Sequence, residues 1–93
     1  MKNVYVVRDW NDPTHADFDC CEKSFDCYED AVKFADELIE ESRKEYPGSY
    51  TETTATIDTP LQYDGDLVVY NKVLYNAKGY SLRQVAIINY SYK

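Results

Sequence analysis

The sequence contains little glycine, proline or histidine, and each shortage excludes a class of protein. Three glycines in 93 residues are too few and too scattered for a phosphate-binding loop or a dinucleotide fingerprint. Only three prolines, together with 44% hydrophobic residues, argue against a disordered chain. The single histidine, His15, lies in a proline-containing loop with nothing to orient it, so no nucleophilic or acid–base site is indicated. The sequence predicts a folded protein that is not an enzyme.

Long apolar runs are also missing. No stretch of about 18 apolar residues exists, so we expect no membrane contact, and Arg8 and Asp9 interrupt the N-terminus before a signal peptide can form. The odd number of cysteines (Cys20, Cys21 and Cys27) predicts free thiols in a reducing cytoplasm. Their spacing relative to His15 fits no zinc site, so we expect neither metal nor cofactor.

Hydrophobic periodicity predicts one α+β domain that spans residues 1–93, with elements in the order ββαβββ. The expected fold is an antiparallel sheet of about five strands, with one amphipathic helix packed across one face. The expected strands cover residues 3–8, 16–25, 49–58, 66–75 and 80–92. Residues 76–79 are expected to close a hairpin in which Gly79 has a positive φ angle.

The helix is expected over residues 28–46, with Asp26 as its N-cap and Pro47-Gly48 as its stop signal. At about 100° per residue, apolar side chains gather on one side and carboxylates on the other. The expected apolar face consists of Tyr28, Ala31, Val32, Phe34, Ala35, Leu38, Ile39 and Tyr46.

Negative charge is concentrated in the first half of the chain. The net charge is −7, and twelve acids but only two bases lie between Asp9 and Glu41. From Leu67 to Lys93 there are four bases and no acid. An acidic half of this kind repels nucleic acid and membrane surfaces and attracts basic proteins. We therefore expect a basic protein surface as partner, without direct contact to nucleic acid.

The acidic residues of the helix and of the segment before it form the candidate partner-binding site. On the helix they are Glu29, Asp30, Asp36, Glu37, Glu40 and Glu41, and before it they are Asp17, Asp19, Glu22 and Asp26. An ordinary solvated helix is the alternative, because Glu29–Lys33 and Glu40–Lys44 have the spacing of helical ion pairs. The sequence leaves both interpretations open.

Tyrosines and the last strand suggest further contacts. Six tyrosines crowd the C-terminal third, at positions 63, 70, 75, 80, 90 and 92, and are expected to divide between the core and an interface. Residues 85–92 are apolar or aromatic on both faces, with Ala86 and Ile88 on the side opposite Val85 and Ile87. Because one helix covers only one face of a sheet, we predict a weak or moderate homodimer that buries the other face.

Two segments resemble a pattern in small phage-encoded proteins. "VYVVRDWND" followed by "FDCYEDAVKFADELIEE", within residues 4–41, resembles their strand, turn and short second strand leading into a helix. Size, acidity and tyrosine content are similar to those of anti-CRISPR proteins and other phage anti-defence inhibitors. That group shares no common fold, so no residue is carried over as a known contact. The resemblance implies inhibition of a host defence protein by covering its nucleic-acid-binding surface, in some members by DNA mimicry.

These observations favour a non-enzymatic inhibitor whose acidic surface occupies a basic surface of a nucleic-acid-binding host defence complex, such as a CRISPR–Cas effector. Two alternatives remain. One is an oligomeric sponge for a nucleotide signal, with a pocket lined by tyrosines and the bases of the C-terminal half. The other is a small structural or regulatory phage protein that acts by protein–protein contact through an edge strand.

Overall fold

The computed structural model describes residues 2–11, 20–63 and 65–92. Within them the chain forms one helix and an antiparallel sheet, as the hydrophobic pattern predicts. The elements are β1 (Lys2–Asn11), β2 (Cys20–Phe25), α1 (Tyr28–Glu45), β3 (Tyr50–Ala55), β4 (Leu61–Tyr63), β5 (Asp66–Tyr75) and β6 (Ser81–Tyr92).

The described strands are all antiparallel and lie in the order β2-β1-β6-β5-β3, with β4 beside the first part of β5. The α+β class is confirmed, and β4 is one strand more than the pattern predicts. β1 continues through Asn11, beyond the expected end at residue 8, because β6 is long enough to pair with it up to Asn11↔Arg83. The hairpin between β5 and β6 closes as expected, with a φ angle of 89° at Gly79. Residues 16–19 of the expected second strand lie outside the described residues.

α1 packs mainly over β6 and β1, through a face of small and aliphatic residues. Ala31, Ala35 and Ile39 are fully buried, and the two alanines let the helix backbone approach the sheet closely. They contact a core made by Val7, Val69, Leu74, Val85 and Ile87 of the sheet. The predicted apolar face is confirmed except at Tyr46, which lies after the last helical residue and is exposed.

Both ends of the helix differ slightly from expectation. Cys27, not Asp26, is the N-cap, and its side chain makes no capping hydrogen bond to the backbone. Asp26 is exposed and lies one residue too early to accept from the first free amides. At the other end α1 stops at Glu45, two residues before Pro47, because a residue that precedes proline is disfavoured in helical geometry.

The sheet face opposite α1 is covered at its centre within the single chain. By register, Val73, Ala86 and Ile88 belong to this face, and only 5% of Ala86 and 4% of Ile88 is exposed. The apolar surface that we expected a second copy to cover is therefore already buried at these two positions. Polar contacts flank them, including hydrogen bonds from the amide of Gln84 to Asn71 and from the amide of Asn71 to Thr54.

Candidate functional site

The outer side of α1 is mainly acidic, although the exposed Lys33 and Lys44 lie on the same side. Six residues on α1 or directly before it have exposed carboxylates. We call them the acidic surface: Asp26, Glu29, Asp30, Glu37, Glu40 and Glu41. Because a helix brings residues three, four and seven apart onto one side, Asp30, Glu37 and Glu41 form a row. Glu29 and Glu40 lie in a second row beside it. The structure thus brings together six of the ten predicted partner-binding residues.

Asp36 belongs to the predicted set but turns toward the sheet. The Tyr70 hydroxyl donates a hydrogen bond of 2.5 Å to Asp36 Oδ1, and Lys72 Nζ lies 3.4 Å from the same oxygen. Its place on the helix explains this, since Asp36 follows Tyr28 and Val32 at four-residue spacing, on the flank of the apolar face. That spacing places Asp36 at the border of the apolar face, where its side chain remains 44% exposed. Asp36 therefore has a structural role and adds little to the acidic surface.

Few basic side chains neutralise the acidic surface. Glu40 Oε1 lies 3.3 Å from Nη1 of Arg43, three residues on, so the expected pair with Lys44 is replaced by one with Arg43. Glu29 accepts a hydrogen bond of 2.9 Å from the Cys27 thiol, and that bond lowers the pKa of the Glu29 carboxyl. Five exposed carboxylates and two exposed ammonium groups, those of Lys33 and Lys44, lie on this side of α1, so its net charge is negative.

The acids before the helix have different environments. Glu22 forms an ion pair of 3.0 Å with Arg8 on the neighbouring strand, so its charge is partly compensated. Asp17 and Asp19 lie outside the described residues. Asp9, which contributes to the acidic count of the sequence, is buried and bound to Arg83. The surface charge of this half is therefore smaller than the sequence count.

Two of the three described basic residues between Leu67 and Tyr92 are occupied, and the third, Lys78, is exposed. Arg83 donates to both oxygens of Asp9, to the carbonyl oxygen of Leu38 and to the hydroxyl of Ser42. Lys72 is paired with Asp36. A nucleotide-binding sponge needs cationic side chains that face a pocket, and these two face the helix instead. This arrangement favours the acidic surface over the nucleotide alternative.

The tyrosines divide between core and surface, as expected. Tyr70 is buried, and this burial, followed by the hydrogen bond to Asp36 and the charge of that carboxylate, raises the pKa of its hydroxyl. Tyr50 and Tyr75 stack at a centroid distance of 5.4 Å on the face opposite α1. Tyr80 is 65% exposed beside the β5–β6 turn. The side chains of Tyr63 and Tyr92 lie outside the described part of the chain.

A shallow depression of about 660 Å³ lies at the start of α1. It is wide open to solvent, and its walls are formed by Asn3, Tyr5, Asp26, Cys27, Tyr28, Glu29 and Ile57. Among the described residues, no three His, Cys, Asp or Glu side chains converge closely enough to hold a metal ion. The helix of the described chain is not long and apolar enough to cross a membrane. His15 and the side chains of Cys20 and Cys21 lie outside the described residues.

Comparison of the chain with protein-family models, with curated proteins and with solved structures gave no match.

Proposed function

We propose that the acidic surface of α1 binds a basic, nucleic-acid-binding surface of another protein and thereby excludes nucleic acid from it. The observation that carries this proposal is the set of exposed carboxylates on one side of the helix, most of which form no ion pair with another described residue. A rigid helix that packs its opposite side on a sheet holds these charges in a fixed arrangement. Such an arrangement suits stoichiometric binding and involves no chemical step.

The spacing of the charges supports this proposal. Five exposed carboxylates lie between Glu29 and Glu41, over a helix length of about 18 Å, so they are on average about 4.5 Å apart along the helix axis. One strand of duplex DNA carries one phosphate per about 3.4 Å of its axis. The carboxylates occupy two neighbouring rows, whereas the phosphates follow one line. A groove of Arg and Lys side chains that tracks a phosphate backbone therefore meets a comparable charge density on α1.

Electrostatic attraction sets how this binding behaves. Complementary charge accelerates encounter, and the acceleration falls as ionic strength rises, since the screening length is about 8 Å at 0.15 M salt. The resemblance to phage anti-defence inhibitors points to a host defence complex, such as a CRISPR–Cas effector, as the class of partner.

A competition experiment tests the proposal. The protein, immobilised through its C-terminus, is incubated with a panel of purified CRISPR–Cas effectors and with one non-nucleic-acid-binding basic protein as control. We expect capture of an effector at low salt, release at high salt, and displacement by a short DNA or RNA duplex. Capture that nucleic acid cannot displace would contradict occupation of its binding surface. Equal capture of the basic control protein would show that the acidic surface attracts basic proteins nonspecifically and would contradict the proposal.

A further inference from the structure

β3 forms one edge of the described sheet. Among the described elements it pairs only with β5, so the backbone groups that alternate toward its other side have no strand partner there. Its sequence, YTETTA, is rich in residues that favour strands and contains no proline, glycine or lysine. Native proteins commonly place proline or lysine on an edge strand, which prevents it from pairing with another strand. β3 has a single charge, that of Glu52, and a bulge only at its far end, between Thr53 and Ala55.

The opposite edge, β2, is protected in the usual way. Glu22 is ion-paired with Arg8, and the Lys23 ammonium lies over the rings of Phe25 and Phe34, at 5.5 and 4.9 Å from their centroids. Residues 22–24 are all exposed, so a strand that approaches β2 meets charges of both signs. The two edges therefore differ in how readily they accept another strand.

We propose that the protein forms a homodimer by antiparallel pairing of β3 with β3 of a second copy. A twofold axis perpendicular to the sheet relates the two strands, so each residue lies opposite one of the same face. This is the case when Thr51 lies opposite Thr51 of the second copy, or when Thr53 lies opposite Thr53. In both, Glu52 lies opposite an uncharged residue, Tyr50 or Thr54 of the second copy. β3 is therefore compatible in charge with its own copy.

The distance between the acidic surfaces favours this edge over β2. α1 lies over β6 and β1. When β3 pairs with β3 of the second copy, five strand spacings separate β6 from β6 of that copy. This separation is about 24 Å, roughly three screening lengths at 0.15 M salt. Pairing through β2 leaves only three spacings between the two β1 strands, about 14 Å. Like-charge repulsion between the helices is therefore much weaker in the β3 dimer.

Exposed aromatic side chains around the start of β3 provide area to bury. Tyr46 and Tyr50 are exposed in the single chain, as is Tyr80. The Tyr50 hydroxyl lies 3.8 Å from the position that a Cβ would take at Gly79, so the β5–β6 turn adjoins this end of the strand. Tyrosine buries a large area at a low cost in conformational entropy. This pairing goes beyond the proposed function, because it involves a different surface and needs no partner protein.

Sedimentation of the purified protein over a range of concentrations tests the dimer. We expect the mean mass to rise from that of one 10.8 kDa chain toward twice that value. Thr53→Glu, at an exposed position, adds like charge to the paired stretch and is expected to raise the dissociation constant by about tenfold or more. Ser24→Glu adds the same charge to the exposed edge β2 and is expected to leave the dissociation constant unchanged.

Hydrogen exchange provides a readout that does not depend on variants. Amides of residues 50–54 that point away from β5 are expected to exchange more slowly at high than at low protein concentration. A monomer mass at high micromolar concentration would overturn the proposal. So would a dimer that Ser24→Glu weakens and Thr53→Glu does not, or one whose β3 amides exchange at the same rate at every concentration.

Discussion

Arg83 on β6 binds Asp9 on β1 through two parallel hydrogen bonds, Nε to Oδ1 at 2.8 Å and Nη2 to Oδ2 at 2.6 Å. The side chains are only 12% and 11% exposed. Nη1 of the same guanidinium donates to the Leu38 carbonyl at 2.9 Å and to the Ser42 hydroxyl at 2.7 Å. One side chain therefore connects two strands to the last turns of α1, which holds the helix at a fixed place on the sheet.

This ion pair predicts a large effect on stability. Asp9→Asn leaves the buried Arg83 charge uncompensated, and we expect the free energy of unfolding to fall by about 3–5 kcal/mol. The matched control is Glu22→Gln, which removes the more exposed pair with Arg8 and is expected to cost less than about 1 kcal/mol. Urea denaturation of the two variants measures the difference. Equal losses would contradict the central role of the Arg83–Asp9 pair.

Alkaline pH is expected to weaken the contact between Tyr70 and Asp36. The pKa of Tyr70 is raised in the folded protein, chiefly by burial, whereas a tyrosine in the unfolded chain ionises near pH 10. Above about pH 10 the unfolded state thus binds fewer protons than the folded state, and stability falls as pH rises. Below about pH 10 the contribution of the raised Tyr70 pKa to the free energy of unfolding is fully present.

Tyr70→Phe removes this pH dependence. We expect the variant to be less stable than the parent at pH 8. Above about pH 10 the variant should lose stability less steeply, so the difference in the free energy of unfolding between variant and parent becomes smaller. Tyr80→Phe, at an exposed position, serves as control and should follow the parent. Denaturant midpoints measured between pH 8 and pH 11 decide the matter, and parallel curves for Tyr70→Phe and the parent would contradict the prediction.

The acidic surface predicts a separation of binding from stability. The double variant Glu37→Lys/Glu41→Lys exchanges two exposed carboxylates for ammonium groups, and we expect the free energy of unfolding to change by no more than about 0.5 kcal/mol. Binding to the basic partner is expected to be lost. The control Glu52→Lys/Asp66→Lys makes the same change of charge on strands β3 and β5 instead of on the helix, and should keep binding. Equal loss in both variants would show that net charge, and not the acidic surface, governs the interaction.

The N-cap offers a stabilising substitution. Cys27 has extended N-cap geometry, with φ −123° and ψ 130°, but its side chain makes no capping bond. A serine there can accept a hydrogen bond from a free amide of the first turn, so we expect Cys27→Ser to be about 1 kcal/mol more stable than Cys27→Ala. Thermal or urea unfolding measures this difference. Equal stability of the two variants would mean that the serine hydroxyl does not cap α1.

A second effect is expected at the same position. The Cys27 thiol bond lowers the pKa of Glu29, so Cys27→Ala should raise the pKa of Glu29 toward the ordinary value of glutamate. Carbon-detected NMR titration of the glutamate carboxyls follows this change. An unchanged Glu29 pKa would show that the thiol bond has no influence on it.

Periodicity and turn residues in the sequence determined the elements of this fold. Runs of β-branched and aromatic residues predicted the long strands, and the Asn76–Gly79 turn predicted the last hairpin. Ala31, Ala35 and Ile39 marked the buried face of the helix. These signals are local, because they depend on side-chain direction along one strand or helix. For the same reason the exposure of Glu37 and Glu41 followed from the sequence.

Only the tertiary structure decided which carboxylates are bound to distant side chains. Asp9 and Asp36 look like members of the acidic half, but Arg83 is 74 residues from Asp9 and Tyr70 is 34 residues from Asp36 along the chain. Pairings over such separations depend on strand order and register, which the local pattern does not contain. Strand order also left β3 at the edge and buried Ala86 and Ile88. Burial and partner choice are set by contacts distant in sequence, whereas the elements themselves are set by contacts nearby.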